Sequence, residues 1–236
     1  MQTPSNELLI ETEINWDDFD HDQKLDLQSD HVIKIKVSHY FEAIKDKIHQ
    51  ILSENEINRS KRFMMQHDRE RYLSTRYALR KIIALGIGTP ANELLFSEGH
   101  NKKPFIQGIE FNISHSSDRI VIALSKESIG IDVELINKNF DFEPLITECF
   151  NKQEEKLIRG SINKRIAFYG LWTRKEGILK ATGEGLLNNL KELDCLPPFL
   201  SRANQNYHLS TIKTDHDYII SLVRTKLSAI LYWNYA

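Results

Sequence analysis

Cysteine is scarce in this 236-residue sequence: Cys149 and Cys195 are the only two, and neither has a CxxC partner. That excludes a disulfide framework, and the reading expects a reducing, cytoplasmic setting. Long apolar runs are missing as well, none approaching the roughly 18 to 20 residues of a membrane span. The opening MQTPSNELLIETEINWDD has neither the basic region nor the apolar run of a signal peptide, so neither export nor a membrane partner is expected. The sequence has no long Pro/Gly/Ser linker and no fixed-period repeat, so any two domains must be closely joined. Walker A and HExxH sequences are absent, and the histidines show no metal-ligand spacing. Gly86-Ile87-Gly88-Thr89-Pro90-Ala91 satisfies the loose dinucleotide pattern, but it follows a helical stretch and has Pro90 where the next helix would begin.

What is present is a charge asymmetry hidden by a net charge of −2. Residues 1–58 hold five Lys/Arg against thirteen Asp/Glu, whereas residues 59–81 hold eight against two. A basic block inside a near-neutral chain calls for a particular anion. At 100° per residue on a continuous helix, Arg62, Arg69, Arg76 and Arg80 fall within about 40° of one another beside Leu73 and Ile83, an arginine stripe bordering an apolar face that suits phosphate. Nucleic acid competes for that reading, but one short basic stretch in an acidic chain is thin support for it.

Periodicity predicts a strand over 31–38, a helix over 40–54, a largely helical basic block over 59–85 and a β-rich centre from Phe111 to Ile136. Helices follow over 143–159 and 161–182, then β-like segments at 207–213, 217–224 and 227–234. The order is α+β in each half, with a boundary at the turn-like Ser125–Ser128 that divides the chain into 1–125 and 126–236.

Two patterns carry chemistry. In Ile129-Gly130-Ile131-Asp132-Val133-Glu134-Leu135 the period of two puts the apolar residues on one face and both carboxylates on the other, about 6.6 Å apart along the strand at ~3.3 Å per residue. They are either the solvated face of an edge strand or a pair that a cation holds. In Trp172-Thr173-Arg174-Lys175-Glu176-Gly177-Ile178-Leu179-Lys180 the i, i+4 spacing stacks Trp172, Glu176 and Lys180 on one side. That stripe reads as a surface ion pair, or else as facing the body of the protein, with Glu176 the third oxygen ligand of a magnesium ion. Ser114 and His115, as strand neighbours, point to opposite faces and cannot form a nucleophile–base pair.

Lys103-Pro104, Phe111-Asn112-Ile113-Ser114-His115-Ser116, Gly130-Ile131-Asp132-Val133-Glu134 and Trp172-x-x-Lys175-Glu176-x-x-x-Lys180 with Gly183-x-Gly185-Leu186 resemble, in order and spacing, the Sfp-type 4′-phosphopantetheinyl transferases. The resemblance implies a pseudo-dimer of two similar α+β subdomains with coenzyme A in the cleft between them. It implies magnesium on Asp132, Glu134 and Glu176, with Glu176 also the base, and Lys180 and His115 on the phosphates. Ser114 and arginines such as Arg62, Arg76 and Arg80 would serve the 3′-phosphate, and Lys103 and Pro104 the adenine. The implied enzyme is a cytoplasmic monomer that transfers 4′-phosphopantetheine from coenzyme A to a serine of an apo acyl or peptidyl carrier protein in fatty-acid, polyketide or nonribosomal-peptide synthesis. The competing reading is a non-catalytic coenzyme A or carrier-protein binding module. Gly177 departs from the family pattern, which has Ala or Ser after Lys-Glu.

Overall fold

Contacts within the computed structural model, which describes residues 8–99, 104–185 and 190–236, divide the chain into two units. One is Asn15–Lys126 with Ser228–Ala236; the other is Glu127–Leu227 with the segment that ends at Ile14. This differs from the linear split 1–125 and 126–236 at the termini, because each end of the chain belongs to the unit built from the opposite half. The physical reason is edge pairing by short segments, which carries no local signal in sequence.

The first unit runs β1 (Asp17–Asp18), β2 (Asp30–Lys36), α1 (Val37–Ile44), α2 (Ile48–Ile51), α3 (Glu54–Ser60), α4 (Gln66–Ile87), β3 (Ser97–Glu98), β4 (Pro104–Phe105), β5 (Glu110–Ser116) and β6 (Arg119–Ser125). The second runs β7 (Ile129–Leu135), α5 (Glu143–Cys149), α6 (Lys152–Gly160), α7 (Lys164–Thr182), β8 (Phe199–Arg202), β9 (Gln205–Lys213) and β10 (Tyr218–Arg224), and β11 (Ile230–Tyr235) returns to the first. Each unit is a strand, a set of helices ending in a long one, then two long antiparallel strands. The sheet orders match: β2-β6-β5 in one and β7-β10-β9 in the other, with every neighbouring pair antiparallel. The fold is therefore α+β with one topology used twice.

In the first unit Leu79, Ile82 and Ile83 of α4 share a buried cluster with Ile33 and Ile35 of β2 and Ile120, Ile122 and Leu124 of β6. The sequence 59–85 is not one helix. Ser53 and Glu56 form a capping box that starts α3, the chain turns over 61–65, and α4 begins at Gln66. Gly88 at φ 75° ends α4, so the dinucleotide-like glycines are a helix stop. Arg62 thus lies in the turn, exposed and off the α4 stripe to which a continuous helix would assign it.

β11 adds to β2 in parallel, and Phe19 and Tyr235 enter the core beside it. His31 on β2 is 1% exposed. Its Nδ1 faces the Trp233 indole nitrogen of β11 at 3.0 Å and its Nε2 faces the Asp26 carbonyl at 2.8 Å. Indole N–H only donates, so Nδ1 accepts and Nε2 carries the proton; only the neutral ring makes both bonds. Among the described residues no helix is long and apolar enough to cross a membrane.

Burial lowers the His31 pKa from 6.5, against the Asp26 carbonyl bond and the charges of Asp26 and Asp30. The folded state then binds fewer protons than the unfolded one, so this contribution is complete above the ordinary histidine pKa and falls away as pH drops below it. The melting temperature is expected to fall between pH 7.5 and 5.5, with a shallower fall in His31→Gln. Equal slopes in the two proteins would refute the assignment.

Candidate active site and anion cavity

Gly130, Asp132 and Glu134 lie on one face of β7, and that is the face α7 covers. A Cβ built on Gly130 would sit 2.1 Å from the Gly177 carbonyl oxygen and 2.9 Å from Ala181 Cβ, so helix and strand approach as closely as backbone allows. Of the two sequence readings of this pair, the solvated edge-strand face does not hold for Asp132, which is 4% exposed and lies beneath a helix. Small residues at Gly170, Thr173, Gly177 and Ala181 form the helix side of the seam. Thr173 Oγ1 meets Ser221 Oγ of β10 at 2.7 Å, Ser221 meets Thr211 at 3.0 Å, and Arg174 Nε donates to Thr211 at 2.8 Å.

Trp172, Glu176 and Lys180 flank that seam and are half-buried, while the residues between them are buried. Lys180 Nζ donates to Asp132 Oδ1 at 2.6 Å. Burial and then the negative charge of Asp132 push the Glu176 carboxyl above the ordinary carboxylate range, with Lys180 opposing. Asp132, Glu176 and Lys180 therefore form one electrostatic group. Trp172 stacks on Phe168, ring centroids 6.0 Å apart, as a packing residue. Among the described residues no three of His, Cys, Asp and Glu are grouped closely enough to hold a metal ion, so Glu134 does not close a ready-made cage with the other two. The donor set nonetheless suits a hard cation: carboxylate oxygens, two of which repel each other.

The first unit holds a cavity of about 620 Å³ lined by Glu56 and Arg59 of α3, Asp68, Arg71, Tyr72, Thr75 and Arg76 of α4, and Phe96, Pro104 and His115 among others. His115 is exposed and Ser114 buried, the opposite faces expected of strand neighbours, and of the two His115 lines the cavity. Arg76 is at the wall; Arg62 is not. Arg80 also lines the cavity but is 4% exposed, its Nε on Glu56 and its Nη1 on the carbonyls of Ala91 and Leu94. That commitment makes Arg80 a brace for the wall. Lys103 and Leu186 lie outside the described residues.

Two family models match in succession: "4'-phosphopantetheinyl transferase, N-terminal" over residues 41–127 and "4'-phosphopantetheinyl transferase superfamily" over residues 128–223. The chain belongs to the 4′-phosphopantetheinyl transferase superfamily. It is 32% identical over 152 residues to the 4′-phosphopantetheinyl transferase HetI of Nostoc, covering 61% of this chain and 64% of that protein. It is 28% identical over 146 residues to the 4′-phosphopantetheinyl transferase Sfp of Bacillus subtilis, covering 60% and 64%. These matches span less than two thirds of either relative's own length. The Thermotoga maritima holo-[acyl-carrier-protein] synthase crystal structure is similar at a TM-score of 0.31 and 21% identity, over 41% of this chain and 61% of that one, too slight a likeness to argue from.

In this member of the superfamily the two lysines of the Trp172–Lys180 segment have different tasks. Lys175 is fully buried, with Nζ on Glu154 Oε2 at 2.8 Å and on the carbonyls of Leu190 and Leu193. Glu154 also accepts from the Cys195 and Asn151 amides, so the pair ties α6 and the 190–195 segment to α7. Sequence reasoning missed this pair and the Glu56–arginine contacts. The available signals were the cap positions of Glu56 and Glu154, each third after a Ser or Asn.

Gly177 has its own reason: a Cβ there would lie 2.9 Å from Val223 Cγ2. Gly130→Ala should lower stability by about 1–3 kcal/mol or more, since backbone must move. Gly177→Ala should cost less, since only a side chain must yield. Urea midpoints of the two variants check this; a harmless Gly130→Ala would refute the close approach.

Proposed function

We propose that the chain transfers the 4′-phosphopantetheine group of coenzyme A to a serine hydroxyl of an apo acyl or peptidyl carrier protein, releasing adenosine 3′,5′-bisphosphate. The observation that carries the reading is the Asp132–Glu176–Lys180 group, an acceptor of raised proton affinity beside a cation at 2.6 Å from its carboxylate partner. Names of the relatives from Nostoc and Bacillus subtilis support the same class of transfer.

In the proposed step the serine oxygen forms a bond to the phosphorus that bears pantetheine. The bond from that phosphorus to the bridging oxygen breaks, and the electron pair leaves with the bisphosphate. Glu176 takes the serine proton, for which burial and Asp132 have raised its affinity. Lys180 faces the phosphate oxygens, and in the first unit Arg59, Arg71, Arg76 and His115 line a cavity whose cationic and hydrogen-bonding groups suit a phosphate-bearing ligand. Asp132, Glu134 and Glu176 are the residues that would hold magnesium, which when bound supplies positive charge against the pyrophosphate and the departing bisphosphate. The arginines gathered around one cavity favour a small anion over nucleic acid, and the free cysteines suit a cytoplasmic setting.

Mass spectrometry of an apo carrier protein incubated with coenzyme A should show the phosphopantetheine adduct with magnesium and lose it on chelation. Glu176→Gln should lower kcat by about 10²–10⁴ while calorimetry still detects coenzyme A binding. Lys180→Ala should act chiefly on KM if its contact is the same in ground and transition states. Full single-turnover activity in Glu176→Gln would refute the base, and no adduct with any carrier protein would refute the transfer.

A further inference from the structure

Arg76 reaches the cavity with its guanidinium fixed on two sides. Nε donates to Glu56 Oε1 at 2.6 Å, and Phe96 lies under the guanidinium carbon at 4.5 Å from the ring centroid. With Nε engaged, the donors that remain to a ligand are the two terminal nitrogens. The other oxygen of Glu56 accepts from Arg80 Nε at 2.8 Å and from the amide and hydroxyl of Ser53 at 2.9 Å each. Glu56 is 7% exposed and is the third residue of α3, set by the capping box. Arg80, immobilised on the carbonyls of Ala91 and Leu94, holds the second carboxylate oxygen from the far side. Phe96 is itself wedged against Phe111, centroids 5.9 Å apart, and is shared by Arg80 at 5.3 Å. Both arginines line the cavity, but Arg76 is the more open half of the Glu56 fork, its side chain 13% exposed against 5% for Arg80.

We propose that Glu56, acting with Phe96, is a positioning residue that presents the Arg76 guanidinium to the anionic end of coenzyme A. The inference rests on the transfer reading above and adds to it a residue that touches no substrate. An unsupported arginine has many rotamers to lose on binding; one clamped at Nε and stacked on a ring has spent that entropy during folding. Glu56 also keeps its charge in the folded protein: burial alone would raise its carboxyl, and Arg76, the Ser53 amide and Arg80 outweigh burial and hold it below the ordinary range. The same carboxylate limits how strongly Arg76 attracts stray anions, leaving terminal nitrogens aimed at a ligand of matching geometry.

The test uses the full chain with coenzyme A and 3′-dephospho-coenzyme A as substrates, and the variants Glu56→Gln, Arg76→Ala and their double. Glu56→Gln keeps the cap acceptor and the shape but not the charge. It should raise KM for coenzyme A about tenfold with kcat within about twofold, as expected for lost ground-state positioning. Arg76→Ala should do the same, and the double variant should be no worse than Arg76→Ala, because Glu56 acts only through Arg76. Phe96→Leu should share the KM effect, whereas melting temperatures identify any variant that merely unfolds. Additive effects in the double variant, or calorimetric coenzyme A affinity unchanged in Glu56→Gln, would overturn the proposal with the transfer reading intact. Wild-type protein that binds no coenzyme A would overturn both.

Discussion

The approach of α7 to β7 is the constraint on which the active group depends. Helix and strand can meet this closely because Gly130 has no side chain to hold off the Gly177 carbonyl and Ala181. At an ordinary helix–sheet distance of about 10 Å the seam would be filled by apolar side chains. Drawn closer, it is filled by hydroxyls: Thr173, Ser221 and Thr211, which reach one another and Arg174 directly. Lys180 consequently reaches Asp132 across the gap without leaving the helix flank. The N-terminal segment closes on the same helix, with Leu8 against Gly170, the Leu9 carbonyl on Arg174, and Glu11 bridged to Ile212 of β9. The helix that bears Glu176 is thus fixed along its length, and catalytic side chains gain from such support because small displacements are costly.

Burial sorts the charged pairs into structure and chemistry. Lys175 and Glu154 are fully enclosed and have carbonyl and amide partners for their remaining valences, so losing either member would strand a charge in a dry interior. Lys180 pairs with Asp132 at 28% side-chain exposure, at the border of the seam and not inside it. Arg80 and Arg76 repeat the contrast on one carboxylate, since both line the cavity but the first is the more buried and is held by two carbonyls besides. In both places an inner cation is enclosed and a neighbouring one on the same helix is more exposed.

Much of this was legible before the structure. Alternation over 31–38 and 129–135 marked β2 and β7, and the helical stretch expected over 161–182 marked the second long helix. The family motifs selected Asp132, Glu176 and Lys180, which the fold brings together. What escaped was non-local or hidden in local geometry. A helical wheel drawn through 59–85 could not show the turn at 61–65 that removes Arg62 from the stripe. Nor could it show that Arg80 points inward, since a carboxylate twenty-four residues earlier decides that. The acidic first part of the chain shows no periodicity because its strands are two residues or a single bridge long, and their partners lie near the other end of the sequence.

The repeated topology explains why one unit carries the Asp132–Glu176–Lys180 group. Counted from the first residue of each strand, the positions 31, 33 and 35 of β2 correspond to 130, 132 and 134 of β7. In β2 two of those are Ile33 and Ile35, packed in the cluster with large residues of α4. In β7 they are Gly130, Asp132 and Glu134, and the helix answers with small residues. A strand face bearing carboxylates cannot be covered by leucines and isoleucines, because desolvation without hydrogen bonds or a counter-charge costs several kcal/mol per ion. It can be covered by a helix that comes close enough to offer a lysine and hydroxyls. The apolar seam therefore stabilises one unit, whose cavity-lining arginines sit on α3 and α4 away from it, and the polar seam gives the other its carboxylate–lysine group. One arrangement of strands and helices supports both, because the residues along a single strand face decide what the covering helix must offer.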